Sequence, residues 1–262
     1  MMTRHVVPPL GEIQKQGTHE RNRLKTGLHT LILLMLSATA FAGKQGTLIF
    51  SDDFNRNESQ EIKDEIGKEW GSNSKSRAKG NKQVDLKDGA MHIYRHAEAD
   101  HAVSVTHPAE FKDGTVELRF MLENAGDSLG LNFADLKFKE VHAGHLCMVK
   151  ISTKDITISD LKTGKMGKEI YAVRKAKQPL TDTQKEKLKS TENKFQNKLE
   201  NGKWHDLEVT IKGDTMTVTI DGMETASFSS EGIAHPTKRT LRLSVPKKAV
   251  IDDLKIYNNK SS

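Results

Sequence analysis

Histidines and scattered carboxylates are the residues of this sequence that could do chemistry. Eight of its eleven histidines fall after residue 90: His92, His96, His101, His107, His142, His145, His205 and His235. His142 and His145 stand as His-Ala-Gly-His, but two metal ligands on one helix face need a spacing of four. Gly144 points instead to a turn leading into a strand, and no metal site is assigned. His101 beside Asp100 is an acid/base candidate on a loop, and Glu117 and His145 are the other two candidates. A retaining glycosidase needs two carboxyl groups about 5 Å apart. Same-face carboxylates on strands are few here, and EIKDEIGKEW (61–70) carries its acids in a polar, loop-like stretch.

A binding groove has better material than an acid/base pair. In TVELRFML, Glu117 and Arg119 project opposite Val116, Leu118 and Phe120, and Asn132 projects opposite Leu131 and Phe133. If those faces line one concave sheet, Glu117, Arg119, Asn132, His92 and Tyr94 form a sugar groove in which polar groups fix hydroxyls and an aromatic ring packs on the sugar. The alternative is the plain solvent side of a sheet, which weighs at least as much. Only two tryptophans are present. Trp204 is read as core and Trp70 as the stacking candidate.

The elements that must position these residues are strands. Alternation of period two runs through 47–50, 90–94, 102–105, 115–122, 128–133, 155–159, 207–211, 216–220, 240–245 and 249–257. Gly213-Asp214 and Asp221-Gly222 are hairpin turns, the second of a type that needs positive φ at both positions. The expectation is an all-β fold, a two-sheet antiparallel jelly-roll sandwich with a short helical insertion around 179–190. The insertion lies within 174–200, which has eight basic and four acidic residues. Thr181 and Gln184 have capping-box spacing, so a helix is expected from about Thr181 to Lys189. The segment is either a basic clamp for an anionic glycan or a solvated helix whose charges keep it soluble. Phe195 and Leu199 should return the chain to the sandwich.

Residues 1–42 read as a leader and signal peptide, with Arg21, Arg23 and Lys25 before an apolar run and Ala40-Phe41-Ala42 at the cleavage point. Residues 43–262 are then a single exported domain, periplasmic or extracellular, with no membrane span after signal removal. That part keeps 36 basic and 33 acidic residues, a net charge of +3. So mild a balance argues against nucleic-acid binding, which needs a large clustered basic footprint. Cys147 is the single cysteine, so no internal disulfide forms. Its place in GHLCMVKIS suits a packed thiol.

The stretch GKWHDLEVTIKGDTMTVTIDG (202–222) resembles the late strands of concanavalin A-like, laminin-G-like jelly rolls, in which Trp-His opens a strand and Asp-Gly closes the next. With FSDDFNR (50–56), VDLKDGAMHI (84–93), FKDGTVELRF (111–120), GDSLGLNF (126–133) and the closing AVIDDLKIY, the frame is similar to secreted bacterial 3-keto-disaccharide hydrolase-like domains over nearly all of residues 47–257. The resemblance implies a scaffold role for His205 and a glycan or cell-surface partner. It leaves open either a recognition module or a glycoside hydrolase or lyase. The chain departs from the hydrolase-like pattern at Asp127-Ser128-Leu129-Gly130, where Asn-Ser-Gly would stand. It also lacks the Glu-x-Asp-x-x-Glu strand of laminarinase-type glucanases. Jelly-roll rims often hold calcium, but Asp52-Asp53 and Asp252-Asp253 do not make a dense ligand loop. No cofactor is assigned, and a structural calcium stays open.

Overall fold

Period-two alternation sorts the chain into two packed antiparallel sheets. The computed structural model describes residues 46–259, all within one compact unit; the leader and signal-peptide expectation for residues 1–42 lies outside the described residues. The first sheet runs β13 (Met223–Ser229), β12 (Thr215–Ile220), β11 (Trp204–Lys212), β6 (Asp113–Met121), β15 (Lys248–Asn259), β4 (Ala90–Tyr94), β3 (Val84–Lys87), and β1 (Thr47–Asp52) also pairs with β15. The second runs β10 (Glu192–Gln196), β9 (Asp155–Asp160), β8 (His145–Ser152), β7 (Ser128–Ala134), β14 (Lys238–Val245), β5 (Val103–Phe111), β2 (Gly71–Ser72). Three short helices join them: α1 (Ser74–Arg77), α2 (Lys168–Lys175) and α3 (Asp182–Ser190). The expected two-sheet antiparallel jelly-roll sandwich is the observed one.

Between the sheets, Val116, Leu118 and Phe120 of β6 pack in one core with Leu129, Leu131 and Phe133 of β7 and Leu241 and Leu243 of β14. Truncating any of these leucines to alanine costs about 2–5 kcal/mol, the transfer term plus the cavity left behind. Cys147 is buried there too, and burial pushes its thiol up to about 12. It is a packing residue, as its alternating run implies.

Turns and bulges set the registers. Asp221 (φ 51°) and Gly222 (φ 78°) both take the left-handed conformation that a tight hairpin of matching twist requires. Long β15 pairs with β6 along one edge and divides its other edge between two strands: its register against β6 slips between Asp252 and Lys255, with Asp253 at φ 48°. Before that bulge it pairs with β4, and after it with β1. His205 makes a scaffold contact. His205 Nδ1 lies 2.7 Å from Asp221 Oδ2, and the Asp206 amide donates to Asp221 Oδ1 at 2.9 Å, which clips the start of β11 to the β12–β13 turn.

The basic segment is more structured than a loop carrying one helix. Its capping box is present: Gln184 N–H donates to Thr181 Oγ1 and Thr181 N–H to Gln184 Oε1. The chain then forms β10, which adds an edge strand to the second sheet with Phe195 opposite Ile156. Phe195 and Leu199 pack against the core as expected. The preceding helix α2 has no counterpart in the periodicity, because it presents one buried side chain, Ile170, among polar ones.

Candidate functional site

A cleft of about 330 Å3 opens on the outer face of the second sheet. Four neighbouring strands supply its floor, because side chains alternate across a sheet and each strand turns every second residue outward. Asn132 comes from β7, Arg242 and Ser244 from β14, Ser104 and Thr106 from β5, His145 and Met148 from β8. Gly130 of β7 adds no bulk, and a Cβ there would collide with the Met148 side chain. The walls are α1 with Arg77, the segment before β5 with His101, and the turn at 142–144 with His142. Among the described residues, no aspartate or glutamate lines the cleft.

At the floor, three side chains from three strands lock together. His145 Nδ1 is 3.1 Å from Asn132 Oδ1, and Arg242 Nη1 is 3.1 Å from His145 Nε2. Asn132 Oδ1 can only accept and a guanidinium can only donate. Arg242 Nη1 is also 3.0 Å from Nδ1, so the guanidinium lies near both ring nitrogens; a tautomer with its proton on Nδ1 donates to Asn132 and keeps its Nε2 lone pair for Arg242. Burial, followed by the positive charge of Arg242 and the neighbouring His142 and His101, brings the His145 pKa down to about 3. His145 is thus a neutral strut.

Two groups here are left wanting a partner. Asn132 is 1% exposed, and its Nδ2 has no hydrogen-bond partner among the described residues. Buried polar groups are nearly always satisfied. Arg242 donates to His145 and to the Ala143 carbonyl but pairs with no carboxylate among the described residues, and burial pulls its pKa below the usual guanidinium value. A half-buried cation without a counterion costs free energy. An acceptor-rich or anionic ligand would satisfy both groups.

The rim is braced from α2, the helix that leads into the basic segment. Tyr171 of α2 stacks on His142 with ring centroids 4.0 Å apart and planes 9° apart, and its hydroxyl lies 3.2 Å from His142 Nε2. Across the cleft Arg77 pairs with Asp100 at 3.4 Å, and Asn73 ties β2 to β5 by donating to the Ala102 carbonyl and accepting from the Ser104 amide. His101 is exposed, with Nδ1 3.0 Å from the Ala102 carbonyl. That contact puts the Nδ1 proton in a hydrogen bond and leaves the lone pair on Nε2.

The sequence-based candidates are thereby divided. His101, His145 and Asn132 share this cleft, whereas Glu117, Arg119, His92 and Tyr94 belong to the outer face of the first sheet. Glu117 therefore cannot act on the same bond as His101 and His145, nor Asn132 line a groove with Arg119. Glu117 and Arg119 border a second cleft of about 370 Å3, with Glu208 opposite Glu117 in the β6–β11 register. Burial, with a smaller push from Glu117, raises the Glu208 pKa despite a hydrogen bond from Thr210. The tryptophans exchange places. Trp70 is buried among Phe50, Phe54 and His107 and donates to Asp52 at 2.9 Å, while Trp204 is 37% exposed with the Arg119 guanidinium 5.0 Å from its ring centroid. Arg242, Arg77 and Asn73 escape a sequence reading. The alternation of TLRLSV does turn Arg242 outward, but nothing local says which strands flank it.

Among the described residues, one carboxylate group could hold a metal ion, Glu58, Glu61 and Asp85. The buried Lys82 ammonium already sits in it, at 2.7, 2.9 and 2.6 Å from the three. Asp52 is similarly committed, to Arg56 at 2.6 Å, Lys68 at 3.0 Å and Trp70.

Comparison with known proteins places the fold and the family. Similar structures include a Bacillus subtilis protein of unknown function with a galectin-like fold (TM-score 0.55, 12% identity, 82% of this chain and 97% of that one). The laminarinase from Rhodothermus marinus is similar at TM-score 0.54 and 10% identity over 82% of this chain and 98% of that one. SCLam, a non-specific endo-β-1,3(4)-glucanase of family GH16, follows at 0.53 and 13% over 83% and 93%. At these identities the likeness is one of fold. No curated protein matches the sequence. The family described as 3-keto-alpha-glucoside-1,2-lyase-like domain matches residues 61–252, and the chain belongs to that family.

Proposed function

We propose that the protein binds a carbohydrate in the cleft over the second sheet, and that it does so outside the cell after loss of residues 1–42. The observation that carries this reading is at the cleft floor, where the buried Asn132 Nδ2 has no partner and Arg242 pairs with no carboxylate among the described residues. Together with the Ser104 and Ser244 hydroxyls they offer hydrogen bonds to a ligand rich in hydroxyl, carbonyl or carboxylate oxygens. The family's glucoside-directed description and the laminarinase-like sandwich support the choice of a sugar. The test is a glycan array probed with the purified protein and with Asn132→Asp and Arg242→Gln. Selective binding that both substitutions abolish supports the reading; binding undiminished in both removes the cleft from it.

The family description and the rim histidines favour a second reading, elimination from a 3-keto glucoside. A base takes the C2 proton, the electron pair forms an enolate with the C3 carbonyl, and the enolate expels the C1 oxygen to leave a C1=C2 bond. The Arg242 guanidinium would stabilise the enolate oxygen, and His101, with its Nε2 lone pair, would take the proton. Release of the leaving alcohol from a 3-keto glucoside by the native protein but not by His101→Ala supports it. Tight binding without release leaves recognition alone.

A further inference from the structure

Past the end of β14 the chain leaves the cleft and enters the lining of a basin of about 640 Å3, built from the turn into β15, the segment after β4 and the β6–β7 connection. Ser244 still lines the cleft, whereas Pro246 and Lys247 line the basin. Two residues of extended chain span about 7 Å. The segment after β4 is shared in the same way: Arg95, His96 and Ala97 face the basin, and His101 and Ala102 face the cleft. The two cavities are thus linked by two short stretches of chain, 95–102 and 244–247.

The basin is cationic. Arg95, Lys247 and Lys248 line it against one carboxylate, Asp127. That carboxylate is buried and turned onto Asn124, accepting from its amide at 2.8 Å and from Nδ2 at 3.1 Å. Lys248 lies 3.4 Å from Glu123. Arg95 donates to the Ala99 carbonyl at 2.7 Å, and neither it nor Lys247 makes an ion pair among the described residues. Gly126 gives the Lys247 ammonium its room, since a Cβ there would lie 2.6 Å from Nζ. A concave surface lined by one sign of charge concentrates ligands of the other, and the adjoining cleft has the same sign through Arg242.

We propose that the basin is a subsite for an anionic group, a carboxylate or a sulfate ester, borne by the saccharide whose neighbouring unit occupies the cleft. The proposal rests on the reading that the cleft binds a carbohydrate. It makes the ligand an acidic glycan that lies across the 95–102 segment.

Calorimetry with the purified protein tests it, using a neutral oligosaccharide, its uronate-bearing and sulfate-bearing counterparts on the same backbone, and inorganic sulfate. At low salt at least one charged form should bind about tenfold tighter than the neutral one. The advantage should vanish in about 0.5 M salt, and the Arg95→Gln/Lys247→Gln variant should bind charged and neutral forms alike. Which charged form gains identifies the group. Equal native affinity for charged and neutral saccharides, or a charged-form advantage that survives in the double variant, overturns the subsite and leaves the cleft reading standing. Inorganic sulfate competing as well as the sulfated saccharide assigns the basin to free anions and overturns the saccharide subsite. No binding of any saccharide overturns both readings.

Discussion

Arg242 Nη1 lies 3.0 Å from Nδ1 and 3.1 Å from Nε2 of His145, a cation set against a neutral ring where a carboxylate would be the usual partner. Asn132 Oδ1, from a third strand, lies 3.1 Å from Nδ1 and gives the ring a neutral acceptor. An unfolded histidine binds its proton near pH 6.5, whereas His145 in the fold does so only at about 3. Between these values the unfolded chain holds more protons, so stability falls as pH drops from 6.5 toward 3, by up to about 1.4 kcal/mol per pH unit. Urea unfolding across this range should show a shallower slope for His145→Gln. Equal slopes would mean that the folded ring takes up its proton freely.

Asn132→Asp keeps the acceptor that His145 needs and replaces the unmet donor by a second acceptor. Thermal unfolding should shift little, while affinity for a cleft ligand should drop at least tenfold, on the order of the 1–3 kcal/mol cost of leaving a buried polar group unsatisfied. Titration calorimetry on native and variant protein measures it, and unchanged affinity would place the ligand elsewhere.

Tyr171 reaches the cleft only through His142. Tyr171→Phe keeps the stack and loses the hydroxyl contact, so ligand affinity should change less than threefold, since a hydrogen bond of this exposed kind contributes about 0.5 kcal/mol. Tyr171→Ala removes both and should weaken binding further by freeing the His142 ring. Parallel binding isotherms separate the two, and equal affinities in all three proteins would detach α2 from the site.

Asp221 combines a left-handed turn conformation with the clip to His205 and Asp206. Asp221→Gly retains the turn and loses the clip, costing about 1 kcal/mol. Asp221→Ala loses the clip and strains the turn, costing roughly 2 kcal/mol. Denaturant midpoints should fall in that order; a smaller loss for alanine than for glycine would contradict it.

Asp52 is buried, which pushes its pKa up, but hydrogen bonds from Arg56, Lys68, the Phe54 amide and Trp70 outweigh burial and hold it below the ordinary carboxylate value. Its contribution is present above about pH 4 and is lost as pH falls through the lower folded value. Asp52→Asn leaves Arg56 and Lys68 without their buried partner and should cost about 3 kcal/mol at neutral pH. Acid unfolding of that variant should be less steep than that of the native chain.

Much of this architecture was legible in local spacing. Alternation names the inward residues of β6, β7 and β14, Asp221-Gly222 names its own turn, and Thr181 with Gln184 names the start of α3, because each signal acts within a few residues of chain. The jelly-roll frame followed from the order of those pieces.

Tertiary structure alone decided which outward faces meet. Alternation says that Glu117 and Asn132 both point away from the core, and it is silent on whether their strands share a sheet; the fold puts β6 in one and β7 in the other. The two tryptophans went the same way, since Trp70 is buried by contacts with β1 and β5 and Trp204 is left on the outside by its place at the head of β11. The cleft itself is built from residues 72 to 244, brought together by strand pairings between segments far apart in the chain. Such pairings are selected by how the whole core closes, and no short window of sequence contains that information.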